Sequence, residues 1–196
     1  MDESTIVSTT LLDRVRRGEE RAWQELVNLL NPLIYRIIRN QVRRTSDHED
    51  LGQETFTKIF LKLHQFTGKQ PFDHWVSRIT INTCYDWLRK HKARPLVSYT
   101  DLGETQAEII EKELAGESTD HNEGLAAMRD LLDRLISSLK PREQIVIRLL
   151  DLQEMNVQDI CELTGWGASK VKVTAMRARK KLAEHLKKLK QKDHQK

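Results

Sequence analysis

The sequence predicts an all-α protein built as two small helical domains joined by an acidic flexible linker. Three observations carry that expectation. Apolar residues recur at three- and four-residue spacing along most of the chain, and no run alternates with a period of two. Three of the four prolines, Pro71, Pro95 and Pro141, stand where a helix begins or a linker starts. Between the two periodic stretches the composition changes: Asp101, Glu104, Glu108, Glu111, Glu113, Glu117, Asp120 and Glu123 are opposed only by Arg94 and Lys112. The expected boundaries are 1–93 for the first domain, 94–124 for the linker, 125–190 for the second domain and 191–196 for a basic tail that frays.

In the first domain, residues 8–17 read as a short helix ending at Gly18. Residues 19–44 place Trp23, Leu26, Val27, Leu30, Leu33, Ile34, Ile37 and Ile38 on one side of a long amphipathic helix, disturbed at Pro32. Asp47 is the expected cap of a helix over 48–66, with Leu51, Phe56, Ile59, Phe60 and Leu63 as its apolar positions. The run Thr67-Gly68-Lys69-Gln70-Pro71 is a turn, and a further helix runs from 72 to 92. Within the linker, 104–115 is at most a marginal helix. The second domain opens with the stripe Leu125, Met128, Leu131, Leu132, Leu135, Ile136 and Leu139. Helices over 141–153, 156–164 and 168–189 follow, with Pro141 in a first turn.

Bulk composition narrows the function classes. Of 196 residues, 38% are hydrophobic and 32% charged, which suits helical bundles with charged outer faces rather than one deep core. The net charge of +4 is modest, so the distribution of charge matters more than its sum. Cys84 and Cys161 lie far apart and outside any metal-spaced cluster, and the N-terminus has no charged-then-apolar leader pattern; a reduced cytoplasmic protein with no membrane insertion is expected. His48, His64, His74 and His91 lack the spacing of a metal site. No metal, cofactor or catalytic activity is expected.

Two segments point to nucleic acid. From Val157 to Val173, Ile160, Cys161 and Leu163 face inward on a short helix, Gly165 breaks it, and Val171 resumes the apolar face. A glycine there permits a positive φ and lets two helices cross sharply, the pattern of a DNA-binding helix-turn-helix. Its second helix carries Lys170, Lys172, Arg177, Arg179, Lys180 and Lys181, cations able to meet phosphates or guanine edges. An ordinary charged outer face is the competing reading. On the 72–92 helix, Phe72, Val76, Ile79, Thr83 and Trp87 share one face, whereas Arg78, Asn82, Tyr85 and Arg89 share another. Cations, an amide and a ring suit single-stranded nucleic acid, although a solvated polar face has the same pattern.

With both segments in place, the chain resembles the extracytoplasmic-function sigma factors, the smallest members of the sigma-70 family. The resemblance covers residues 8–92 and 125–186. Asp47-His48-Glu49-Asp50-Leu51-Gly52-Gln53-Glu54-Thr55-Phe56 is similar to the family's D-x-E-D-L-x-Q-E-x-F signature. Phe72, Trp75, Ile79 and Asn82, leading to Trp87-Leu88-Arg89, resemble its promoter-melting helix. Leu139-Lys140-Pro141-Arg142-Glu143 and Val171 through Arg179 resemble its fourth region.

The resemblance implies a factor that binds core RNA polymerase and directs promoter-specific initiation, a function class open to control by an anti-sigma factor. It assigns core-polymerase docking to Asp47, Asp50, Leu51, Gln53 and Glu54. Capture of single-stranded −10 DNA goes to Phe66, Arg78, Asn82, Tyr85 and Arg89. Contact with the −35 duplex goes to Lys170, Lys172, Met176, Arg177 and Arg179. The acidic linker would thread the polymerase's cleft. The chain departs from the family at Gly167-Ala168, at Thr174 and at Gly52. Two other classes compete: a ligand-sensing helix-turn-helix regulator, which would bind duplex DNA without polymerase, and an RNA-binding adaptor, which would prefer RNA and ignore promoters.

Overall fold

A computed structural model describes residues 7–91 and 121–193, with side chains at 7–91 and 126–187. Residues 94–120 of the expected linker, with the 104–115 segment, lie outside the described residues. Eight α-helices and no strands are present among the described residues: α1 (Thr9–Arg16), α2 (Glu20–Gln41), α3 (His48–Lys62), α4 (Phe72–Lys90), α5 (His121–Ser137), α6 (Pro141–Ile147), α7 (Val157–Thr164) and α8 (Ala168–Asp193).

Local chemistry explains most of the boundaries. Ser8 caps α1 by accepting from the Leu11 N–H at 3.2 Å, and Gly18 turns the chain at φ 81°. Helix α2 runs unbroken through Pro32, which is exposed, so the carbonyl that its ring deprives of a partner faces water. It stops at Gln41, earlier than periodicity suggests, and a 3-10 turn at Thr45–Asp47 leads into α3. Asp47 precedes α3 without capping it; its carboxylate lies 3.5 Å from Arg44 instead. Helix α3 ends at Lys62 and tightens into a 3-10 turn at Leu63–Gln65. Pro141 opens α6, where Glu143 reaches back to the Lys140 N–H at 2.9 Å. A π-helical segment, Arg148–Leu152, continues it. Helix α5 begins before the expected 125. Helix α8 continues to Asp193, so residues 191–193 of the tail are helical where fraying was expected, and 194–196 lie outside the described residues.

The first four helices pack around Leu26, Leu30, Ile34, Ile38, Leu51, Ile59, Phe72, Val76 and Ile81. Truncating one of these leucines to alanine costs about 2–5 kcal/mol. This core does not stop at the first domain. Ile145, Val146, Leu149, Ile160, Val171 and Ala175 belong to the same apolar cluster, with α4 packed against both α6 and α7. The two domains, expected to be separate modules on a tether, share a continuous core here. Smaller clusters around Leu131 and Ile136 stabilise α5 against α6 and α8.

Candidate nucleic-acid and polymerase interfaces

Helix α3 is amphipathic with its acidic side outward. Asp50 and Gln53 are exposed, and Glu54 is half-buried with an ion pair to Lys58 at 2.8 Å, one turn on. Lys58 also donates to Thr83 Oγ1 of α4 at 3.1 Å, so Glu54 is tied to the neighbouring helix. Leu51, expected in the docking set, is 1% exposed and belongs to the core. Asp47 is half-buried beside Arg44.

Gly52 is buried, and a Cβ there would stand 2.5 Å from Tyr35 Oη of α2. The departure from an aliphatic residue is therefore what allows Tyr35 to lie over α3.

Sequence reasoning missed the apolar part of this face. Leu61 is 62% exposed, and Phe60, expected in the core, is 59% exposed with its ring edge-on to Trp23 at 5.1 Å. At roughly 100° per residue, Leu61 falls on the same side as Asp50 and Glu54, a signal that was legible. Acid, amide and exposed apolar groups on one helix suit docking to a cationic partner.

On α4 the expected polar arc is real. Arg78 and Arg89 are exposed; Asn82 and Tyr85 are half-buried. Asn82 forms no side-chain hydrogen bond with any described residue, so its amide is available. The core face is displaced from the expected one. Ser77, Thr80, Ile81, Cys84 and Leu88 are buried alongside Phe72, Val76 and Thr83, whereas Ile79 and Trp87 are only half-buried. Thr80 and Thr83 satisfy their hydroxyls on the Val76 and Ile79 carbonyls. Burial lifts the Cys84 thiol from 9.0 to about 12. Before α4, Phe66 stacks edge-on to Phe72 at 5.0 Å and lies 5.6 Å from Trp75. Arg16 fixes the loop by donating to the Phe66 carbonyl at 3.0 Å.

The second domain reaches this same face. Trp166 meets the Tyr85 ring edge-on at 5.5 Å, and Arg142 sits between them, 5.5 Å from the Tyr85 centroid and 5.1 Å from that of Trp166. Arg142 also donates to Tyr85 Oη at 3.2 Å.

The α7–α8 turn has the expected geometry. Asn156 caps α7 by accepting from the Asp159 N–H at 2.9 Å, and Gly165 takes φ 74°. Ile160 is buried, while Cys161 and Leu163 are half-buried. On α8, Val171, Ala175 and Ala178 face inward; Lys170, Lys172, Met176 and Arg177 face outward. Lys170, Lys172 and Arg177 form no ion pair with any described residue. Arg179 is different. It pairs with Asp151 of the π-helical segment, Nε to Oδ2 at 3.1 Å, and that hydrogen bond raises its pKa. Lys181 likewise holds the buried Glu143 at 2.6 Å. These two cations brace α8 against α6 and its π-helical continuation.

No group of three or more His, Cys, Asp or Glu among the described residues is placed to hold a metal. No described helix is long and apolar enough to cross a membrane.

Comparison with known proteins accounts for this arrangement in the order in which it occurs. The sigma-70 region 2 family matches residues 26–94, and sigma-70 region 4 matches residues 129–182. The chain is 27% identical over 177 residues to the ECF RNA polymerase sigma-E factor of Escherichia coli (strain K12), covering 89% of this chain and 91% of that one. It is 25% identical over 175 residues to the sigma-E factor of Haemophilus influenzae, covering 89% and 92%. In fold it is similar to CnrH, solved in complex with the cytosolic domain of CnrY. The TM-score is 0.54 at 21% identity, over 91% of this chain and 96% of that one. With the region 2 match falling on α2–α4 and the region 4 match on α5–α8, the chain belongs to the extracytoplasmic-function group of the sigma-70 family.

Proposed function

We propose that the protein binds core RNA polymerase and directs it to promoters, reading a −10 element through α4 and a −35 element through α8. The observation that carries this reading is the coexistence, in family order, of three surfaces on one chain: the acidic face of α3, the Arg–Asn–Tyr–Arg arc of α4 and the free cations of α8. The factor is not an enzyme; it changes where polymerase starts.

Asp50, Gln53 and Glu54 dock the polymerase, with Phe60 and Leu61 supplying apolar contact beside them. Asn82 accepts and donates at the edge of a base flipped out of the non-template strand, Tyr85 offers a ring to stack on, and Arg78 and Arg89 meet phosphates. Phe66 belongs to an aromatic cluster that shapes the adjoining loop. Lys170, Lys172, Met176 and Arg177 face the −35 duplex. Arg179 holds α8 in position through Asp151 rather than reading a base. The protein works in the cytoplasm, on the nucleoid through polymerase, under the control of an anti-sigma factor.

The test is run-off transcription by core enzyme on a promoter library with and without this protein. New start sites that appear only with the protein, and vanish with Asp50→Ala/Glu54→Ala, are the expected result. A start-site pattern identical with and without the protein defeats the reading.

A further inference from the structure

Two adjoining cavities lie where the C-terminal end of α2 meets α5 and the π-helical segment after α6. One, of about 660 Å³, is lined by Arg39, Arg43, Arg129 and Arg148, with Asp133 as the single carboxylate in its wall. The other, of about 430 Å³, is lined by Gln41, Trp87, His91 and Gln144 and has no carboxylate in its wall. Arg43, Thr45 and Arg148 belong to both walls, so the two make one recess with a cationic and an aromatic compartment. Each volume falls within the range of about 300–1,000 Å³ usual for small-molecule sites.

Polar groups in this recess are left without protein partners. Gln41 is 1% exposed, and neither its side-chain oxygen nor its nitrogen has a hydrogen-bond partner. Gln144, buried in the same wall, donates to the Ser137 carbonyl at 3.1 Å and to the Leu139 carbonyl at 2.9 Å. Arg148 is 6% exposed; its Nη1 donates to Asp133 at 2.8 Å, but its Nε is buried without a partner. Burying a donor or acceptor unmet is costly, and folds rarely keep one without a use for it. Asp133 pairs with Arg148 and Asp130 with Arg43, whereas Arg39 and Arg129 are exposed and form no ion pair with any described residue. Arg148 also opens the π-helical turn Arg148–Leu152, and Leu152 and Gln153 line the same recess. Widened helical turns of this kind recur at functional sites.

We propose that this recess binds a nucleoside polyphosphate. Arg39 and Arg129, with the Arg148 Nε behind them, donate charge-assisted hydrogen bonds to the phosphates. The Gln41 amide, with a donor and an acceptor both unmet, pairs with a base edge. Trp87 and His91, stacked with ring centroids 4.3 Å apart, form the aromatic wall beside which the base lies. None of these residues belongs to the polymerase-docking, −10 or −35 sets, so the inference stands apart from the promoter-reading function. A ligand here touches both regions and stabilises the fold that holds them together.

Isothermal titration calorimetry of the full chain against ADP, GDP, pyrophosphate and adenosine tests the proposal. Saturable binding of ADP or GDP at a single site is expected, with pyrophosphate about tenfold weaker and adenosine weaker still. The thermal midpoint should rise with the concentration of the tighter nucleotide. Gln41→Leu removes the unmet amide. The unliganded variant should be at least as stable as the parent, yet hold the nucleotide about tenfold less tightly, a split that a merely structural glutamine does not produce. Arg39→Ala/Arg129→Ala, at exposed positions, should keep the parent's helix content by circular dichroism and weaken nucleotide and pyrophosphate alike by about tenfold. Arg21→Ala, an exposed cation at the other end of α2, should leave both affinities unchanged.

Absence of saturable heat with either nucleotide at millimolar concentration overturns the proposal. So does pyrophosphate binding as tightly as the nucleotide, which leaves an anion site only. Arg21→Ala weakening binding as much as the Arg39/Arg129 pair overturns it too, since the attraction is then diffuse. Full affinity in Gln41→Leu likewise overturns it. Should Gln41→Leu fail to fold, the Arg39/Arg129 pair and the pyrophosphate comparison still decide the question.

Discussion

Gly52 lies within α3, where glycine costs about 1 kcal/mol relative to alanine; on an open helix face Gly52→Ala would therefore stabilise. Here the reverse is expected. A Cβ at position 52 meets Tyr35 Oη at 2.5 Å and Cζ at 2.7 Å, well inside the ~3.5–4.0 Å optimum between carbon atoms. Forcing the half-buried Tyr35 ring aside costs about 1–3 kcal/mol. Subtracting the propensity gain leaves a net loss of about 0–2 kcal/mol. Tyr35→Ala removes the obstacle, and in that background Gly52→Ala gains up to ~1 kcal/mol. The two positions are therefore coupled by about 1–3 kcal/mol. Urea unfolding of the parent, both single variants and the double variant measures this directly. Thermal midpoints should move ~2–4 °C per kcal/mol for a chain of this size. The reasoning is refuted if Gly52→Ala stabilises the parent chain, or if the two substitutions add within about 0.5 kcal/mol.

Further predictions concern the site residues and the buried Cys84. Arg177→Ala should weaken −35-dependent binding by about 1–3 kcal/mol in a sequence-selective way. Arg179→Ala should leave sequence preference intact and cost ~0–1 kcal/mol of stability through the lost Asp151 pair; competition binding on mutated −35 sequences separates the two. Asn82→Ala should slow promoter opening, read by permanganate reactivity of unpaired thymines, more than it weakens the closed complex; equal loss at both steps removes Asn82 from base capture. Cys84 should resist a thiol reagent near neutral pH until the protein unfolds, while the half-buried Cys161 is modified in the native state. Burial raises the Cys84 pKa from 9.0 in the unfolded chain to about 12 in the folded one. The folded state thus retains a proton that the unfolded state loses. Its contribution to stability is full below pH 9 and declines as pH rises from about 9 toward 12, a decline that Cys84→Ala should flatten.

Much of the site was legible because it depends on local rules. The polar arc of α4 follows from an angular count, the α7–α8 turn from one glycine, and the outward cations of α8 from the inward Val171, Ala175 and Ala178. What was misread involved residues whose environment is set by another helix. Phe60 looked like core because it is apolar, yet the neighbouring bundle leaves it 59% exposed. Ser77, Thr80 and Cys84 did not look like core because they are small or polar, yet close packing buries them, and the Thr80 hydroxyl donates to the Val76 carbonyl. Arg179 looked free to reach DNA because Asp151, its partner, is 28 residues away in sequence.

By itself the sequence determined that this chain is helical, where its turns fall and which side chains share a face, since helical periodicity, caps and glycine turns act over a few residues. The tertiary structure decided how the two domains meet: that Gly52 makes room for Tyr35, that Arg142 and Trp166 rest on Tyr85, and that one apolar core spans both regions. Those contacts join residues tens of positions apart, and their geometry is selected by steric fit and mutual burial, which no local pattern along the chain encodes.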